Sequence, residues 1–175
     1  KLEKEKQDIL GNVIYEDSFE WRFEFPQVLD NDGKFTGFDC IIGNPPYIQL
    51  QKMGDASINL EKLGYETYAK TGDIYSLFYE LGICLLKPNG YLAFITSNKW
   101  MRAAYGESLR KYFIEKSNPL ILIDFGGMQV FDTATVDTNI LITEKAKYLG
   151  ATNACVLDKN FSINNTSDYF NTRLS

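Results

Sequence analysis

The stretch Gly37-Phe38-Asp39-Cys40-Ile41-Ile42-Gly43-Asn44-Pro45-Pro46-Tyr47-Ile48 constrains this chain more than any other. Its apolar run, Phe38 to Ile42, is short, rich in β-branched residues and bounded by glycines, which predicts a buried β-strand. The residues after Gly43 continue neither as strand nor as helix. Each proline lacks an N–H and pushes the residue before it out of the α region. The backbone from Asn44 to Tyr47 is therefore stiff. It offers the side-chain carbonyl of Asn44 and the main-chain carbonyl of Pro45 as neighbouring acceptors, beside the flat face of Tyr47. Two acceptors next to an aromatic plate suit a planar group that carries an –NH2. On the residues alone, a proline-stiffened turn closing a strand stays open as the plainer reading.

Composition narrows the classes. A chain of 175 residues that is 45% apolar and 14% aromatic can bury one real core and is not disordered. No run approaches the length needed to cross a bilayer and no signal peptide is visible, so no membrane association is expected. There is no histidine, which excludes Ser-His-Asp chemistry and histidine-held metals within this chain. Cys40, Cys84 and Cys155 have no zinc-site spacing and are expected to be core thiols in a reducing cytoplasm. The net charge of −5 is unlike that of a self-sufficient DNA-binding domain.

Asn44-Pro45-Pro46-Tyr47 resembles the catalytic motif of the adenine-specific (N6) DNA methyltransferases of large type IIG and type II restriction-modification systems, which depend on S-adenosylmethionine. That resemblance implies a target adenine extruded from duplex DNA, as enzymes acting on a base require. It implies that Asn44 and the Pro45 carbonyl accept the two amino hydrogens, with Pro46 and Tyr47 completing the catalytic corner and no metal involved. Further residues carry the likeness through roughly 19–160. Trp21-Arg22-Phe23-Glu24-Phe25-Pro26 precedes the motif; Gly72-Asp73-Ile74-Tyr75-Ser76-Leu77-Phe78 and Leu85 to Thr96 come after it. In the family the aromatic at the place of Phe78 borders the cofactor's adenine; from its spacing, Phe78 reads instead as core. Asn44 and Phe78 are thus the implied cofactor-binding residues. Ser97-Asn98-Lys99-Trp100 matches the segment after the next strand, except that Ser97 stands where a proline is usual. Gln129-Val130-Phe131 resembles the segment whose aromatic faces the flipped base, which makes Phe131 and Tyr47 the implied stacking pair.

Along the chain, Lys1 to Asp8 reads as the end of a helix from a longer polypeptide, halted near Gly11, and Asp30-Asn31-Asp32-Gly33 reads as a turn. Residues 49–72 are expected to form a flexible connection that touches substrate. Asp73 is expected to cap a helix whose inward stripe is Ile74, Leu77, Phe78, Leu81 and Leu85, widened by Tyr75, Ile83 and Leu86 so that the helix is mostly covered, and ended by Pro88-Asn89-Gly90. Next come a strand over Tyr91 to Ile95, a helix over Gly106 to Lys116 with Leu109, Tyr112 and Phe113 inward, and strands over Leu120 to Asp124, Thr138 to Ile142 and Ala154 to Leu157. An Asn/Ser/Thr-rich tail reads as a linker. The alternation predicts an α/β fold with parallel strands in which Thr138 to Ile142, the last strand of the main sheet, is antiparallel; the resemblance makes it the C-terminal half of a class I (Rossmann-like) methyltransferase sheet. The glycine pair Gly126-Gly127 comes after a strand and has no helix after it, so it is assigned to the late strand pair and not to a cofactor loop.

The implied organisation is a partial catalytic domain over 1–148, then a short strand and linker over 149–175 leading to a missing target recognition domain. Double-stranded DNA is the expected partner, held through that missing domain. The main cofactor loop is expected upstream of Lys1, so the piece alone is expected to be inactive, and the setting is expected to be bacterial or archaeal cytoplasm. Two other functions remain open: a glutamine methyltransferase of the release-factor type, whose amide –NH2 poses the same problem, and a catalytically idle scaffold.

Overall fold

The computed structural model of the chain describes residues 24–128, 130–131, 136–158, 161–162 and 166–173. The expected helix end near Gly11, the residues Trp21, Arg22 and Phe23, and Gln129 lie outside the described residues. The chain forms two compact units, Lys1–Gly37 and Phe38–Ser175. In the first, Pro26–Val28 makes a 3-10 turn, and Leu29 bridges to Phe35 around the expected turn. That turn is closed by the Asp30 carboxylate, which accepts from the N–H groups of Asp32 at 3.0 Å and Lys34 at 2.8 Å.

The second unit is a five-stranded sheet with helices. Its strands are β1 (Phe38–Gly43), β2 (Leu86–Ser97), β3 (Asn118–Asp124), β4 (Thr138–Glu144) and β5 (Asn153–Val156), in the order β1-β2-β4-β3-β5. Its helices are α1 (Asp55–Lys62), α2 (Tyr75–Leu85), α3 (Glu107–Lys116) and α4 (Thr166–Arg173). β1 runs parallel to β2, and β3 to β5, while β4 is antiparallel to both β2 and β3. The α/β class and the antiparallel strand agree with expectation; that strand is inserted between β2 and β3. The carboxyl ends of β1, β2 and β3 lie at one edge of the sheet, where open α/β sheets bind their ligands.

α2 departs from its expected stripe. Leu77, Tyr75, Ile83 and Leu86 are buried as expected, but Tyr79 is fully buried as well, whereas Phe78 and Leu81 are each 37% exposed. α2 is apolar on most sides, so spacing alone does not choose its face. Two features choose it. The buried tyrosines have hydroxyl partners, Tyr105 for Tyr75 at 3.2 Å and Thr96 for Tyr79 at 3.1 Å, so their burial strands no polar atom. Gly82 lets α2 approach β2; a Cβ there would lie 2.3 Å from the Leu92 side chain. Asp73 does not cap α2 as expected: no side chain caps that end, and the Asp73 carboxylate accepts from the Tyr105 hydroxyl at 3.1 Å.

Other expectations are corrected. Strand β1 is not buried: Ile42 is 79% exposed, because β1 is the outermost strand of the described sheet. Cys40 on β1 and Cys84 on α2 are exposed, so Cys155 alone is a core thiol. Residues 49–72 are not a loose connection. They hold the 3-10 turn Leu50–Lys52, with Leu50 fully buried, and then α1. The Glu80 carboxylate ties them to α2 by accepting from the N–H groups of Glu66 at 3.2 Å and Thr67 at 2.9 Å and from the Thr67 hydroxyl at 2.9 Å. The tail expected as a linker carries α4, whose Tyr169 is buried against Cys155 and Leu157. Helix α3 agrees with expectation, with Leu109, Tyr112 and Phe113 all buried. Among the described residues, no helix is long and apolar enough to cross a membrane.

Candidate active site

The corner after β1 sits at the carboxyl edge of the sheet with Asn44 and Pro46 exposed, Pro45 buried and Tyr47 half-buried. The Tyr47 hydroxyl donates to Asn44 Oδ1 at 2.8 Å, with the Ile95 carbonyl of β2 a second acceptor at 3.3 Å. The short bond fixes the Asn44 carboxamide with its oxygen toward the ring, and that oxygen keeps a second lone pair. Among the described residues, no N–H or hydroxyl is bonded to the Pro45 carbonyl. Both acceptors singled out in the sequence therefore retain the capacity to take an amino hydrogen.

Packing sets the ring of Tyr47. Tyr75 meets it edge-on, with centroids 6.4 Å apart and planes at 86°. Phe131 approaches from the β3–β4 connection, also at 6.4 Å, with planes at 56°. A base stacked between two parallel rings needs them about 7 Å apart, twice the rise of stacked bases. The expected pair is thus brought together at nearly that spacing, tilted from parallel. Burial raises the Tyr47 pKa above the ordinary tyrosine value, so its phenol stays a proton donor through the neutral range.

Beneath this corner lies a buried polar chain that the sequence reading missed. Thr96 and the Trp100 indole N–H both donate to Asn139 Oδ1, at 3.2 and 3.1 Å, and Thr96 meets the Tyr79 hydroxyl. It joins the carboxyl end of β2 and the start of β4 to the middle of α2. Its only trace in the sequence is polar residues at otherwise apolar strand ends. Gly126 and Gly127 adopt positive φ in the turn after β3, where the Asp124 carboxylate accepts from the Gly126 N–H at 3.1 Å and the Asn98 amide at 2.9 Å. This agrees with their assignment to the late strand pair.

Beside Tyr47 opens a depression of about 280 Å³ lined by Ile48, Gln49, Lys52, Asp73, Ser97, Lys99 and Val136. Phe78 is not part of it. Its half-exposed ring lines a separate, mostly apolar cavity of about 210 Å³ with Leu60, Tyr65, Ile74, Leu77 and Leu81. The structure therefore groups Asn44, Pro45, Pro46, Tyr47 and Phe131, and leaves Phe78 on a neighbouring surface of α2.

The sequence model of the Eco57I restriction-modification methylase family matches residues 1–131. The chain belongs to that family. It is 35% identical over 114 residues to the type II restriction enzyme and methyltransferase RM.Eco57I of Escherichia coli, a match covering 63% of this chain and 11% of that protein. It is 32% identical over 120 residues to the type II methyltransferase M.BanIII of Aneurinibacillus aneurinilyticus, covering 67% of this chain and 20% of that protein. A solved methyltransferase subunit of a type I restriction-modification system from Streptococcus thermophilus shares the fold, with a TM-score of 0.56 at 18% identity over 78% of this chain and 32% of that one. The chain thus spans a fifth or less of these two sequence relatives. Its sheet is a class I methyltransferase sheet, as the motif resemblance implied. Family membership covers the Asn44 to Tyr47 corner, α2, β2 and Phe131.

Proposed function

We propose that this member of the Eco57I family is the catalytic-loop half of an adenine-specific DNA methyltransferase, acting within a longer polypeptide in bacterial or archaeal cytoplasm. The observation that carries the reading is the exposed Asn44 oxygen, set at 2.8 Å by the hydroxyl of Tyr47, whose ring lies 6.4 Å from that of Phe131. A flipped adenine entering between Tyr47 and Phe131 places its amino group against Asn44 Oδ1 and the Pro45 carbonyl. Each oxygen accepts one amino hydrogen. That pair of bonds draws the nitrogen lone pair out of conjugation with the ring and turns it out of the base plane. Pro45 and Pro46 keep the two acceptors from relaxing as the geometry changes, so the corner acts by positioning and fixed dipoles. Extrusion costs a few kcal/mol, and stacking on an aromatic returns ~1–3 kcal/mol, so two faces offset much of it.

The residues fit S-adenosylmethionine as cofactor. The acceptors stand at the ligand-binding edge, and Phe78 offers a half-exposed ring over a mostly apolar cavity, suited to an adenine moiety. Bound there, the cofactor supplies the electrophilic methyl group; Asn44 and Phe78 are the residues of this chain proposed to touch it. The family favours DNA over the glutamine amide as methyl acceptor, and the intact corner favours catalysis over an idle scaffold.

The test uses the full-length enzyme with isotopically labelled cofactor. Label is expected in adenine of DNA and not in protein, and Asn44→Ala is expected to cost about 10²–10³ in turnover while DNA affinity holds. Turnover near wild type in that variant refutes the role given to Asn44. Label in glutamine, or in cytosine, refutes the substrate.

A further inference from the structure

The chain is acidic overall, yet the depression beside Tyr47 carries two cations, Lys52 and Lys99, and no other described cation lines it. Five other basic side chains of this unit are engaged. Lys87 pairs with Asp39, Lys116 with Glu66 and Lys111 with Glu115, while Arg110 and Lys145 donate to backbone carbonyls. Among the described residues, no carboxylate lies within ion-pair distance of Lys52 or Lys99. Asp73, the acid in the depression, is buried, and one of its oxygens is bonded to the Tyr105 hydroxyl.

Both lysines rise from fixed backbone. The Lys99 N–H donates to Ser97 Oγ at 3.3 Å in the turn that ends β2, and the Lys52 N–H donates to the Gln49 carbonyl at 2.9 Å. Gln49 is itself bridged to Asp73. Lys52, Lys99 and Gln49 line the same depression as Tyr47, which suits a singly charged oxyanion linked to a planar ring. A nucleotide whose base lies on Tyr47 carries such a group on either side of its sugar.

Resting on the adenine-methylating function proposed for the corner, we propose that Lys52 and Lys99 grip the phosphodiester backbone beside the extruded nucleotide. Two local grips of this kind suit a chain whose net charge is −5.

The experiment uses the full-length enzyme and Lys52→Gln, Lys99→Gln and Lys→Arg variants at both positions. Duplex affinity is read by fluorescence anisotropy from about 50 to 200 mM salt, and steady-state methylation is measured in parallel. Each Gln variant is expected to make the plot of log affinity against log salt shallower by about 0.7–0.9, to raise the DNA KM several-fold and to change kcat less than twofold. The Arg variants are expected to retain the wild-type slope. Wild-type slopes in both Gln variants, a change confined to one lysine, or a salt-independent loss that Arg does not rescue overturns the grip. If the wild-type enzyme methylates DNA and the slopes do not move, this inference alone fails. If it neither binds nor methylates DNA, the functional reading fails and takes the grip with it.

Discussion

Removing one oxygen atom from Tyr47 separates the work of its ring from that of its hydroxyl. In Tyr47→Phe the ring keeps its edge contact with Tyr75 and its 6.4 Å approach to Phe131, while the 2.8 Å bond to Asn44 Oδ1 disappears. Asn44 is exposed, so water replaces the phenol and the net loss is that of an ordinary hydrogen bond, about 0.5–1.5 kcal/mol. The carboxamide then samples orientations in which its NH2 faces the substrate, a loss felt at the reacting centre. The expected result is a fall in kcat of about 3- to 10-fold with little change in DNA KM, since about 1.4 kcal/mol is a factor of ten. Tyr47→Ala also removes the stacking face, worth ~1–3 kcal/mol, and is expected to cost about 5- to 150-fold more. Single-turnover methyl transfer by the full-length enzyme, with thermal melts to confirm folding, reads both numbers. A Phe variant as fast as wild type refutes the claim that the hydroxyl sets Asn44. A Phe variant as slow as the Ala variant refutes the claim that the ring stacks.

The packing leads to three further expected outcomes. Glu80→Ala leaves the buried Thr67 N–H and hydroxyl without their carboxylate; a loss of about 3 kcal/mol in urea unfolding is expected, with a smaller one in Glu80→Gln, which keeps an acceptor. Burial raises the pKa values of Tyr47, Tyr75, Tyr79 and Tyr112. Because these folded values exceed the unfolded one of about 10, their contribution is fully present below that pH and is lost as pH climbs through the folded values. Circular dichroism and the phenolate absorbance of these four are thus expected to change together in strong alkali; their ionisation near pH 10 without unfolding contradicts this. Finally, Cys40 and Cys84 are exposed and Cys155 is buried, so a thiol reagent is expected to modify two groups in the native chain and a third only on unfolding. Native modification of all three counts against the placement of Cys155.

The parts of the fold that the sequence reveals are those where one physical signal dominates. Asn44 to Tyr47 is legible because two prolines leave the backbone few conformations, and α3 because Leu109, Tyr112 and Phe113 mark one face, with Ile114 the one apolar residue outside it. The face of α2 is not legible. A helix apolar on most sides gives no amphipathic direction, and the choice rests on tyrosine hydroxyls finding Thr96 and Tyr105 across the fold. Neither partner is near in sequence. The order of residues 50–72 is hidden for a like reason. A polar, tyrosine-bearing segment resembles a loop until a buried carboxylate, Glu80, supplies the acceptor for its backbone. Phe131 and Lys99 both lie in segments that resemble the family. The first stands out in its segment as an aromatic wall; the second does not, since a lone lysine after a strand has no periodicity to betray it.

The reversed strand β4 has a consequence for how such enzymes diversify. Asp124 of β3 and Asn139 of β4 are register partners, so the chain leaves and re-enters the sheet through adjacent slots about 5 Å apart. The described residues between them, Phe131 among them, hang from two fixed pegs, and Phe131 reaches Tyr47 at the rim that holds Asn44. A segment so mounted is modular. Residues can be added, removed or exchanged within it while the strands below keep their pairing, and each exchange alters the wall that stands across from Tyr47. The frame inherits the chemistry, and the overhang is free to vary in what it faces.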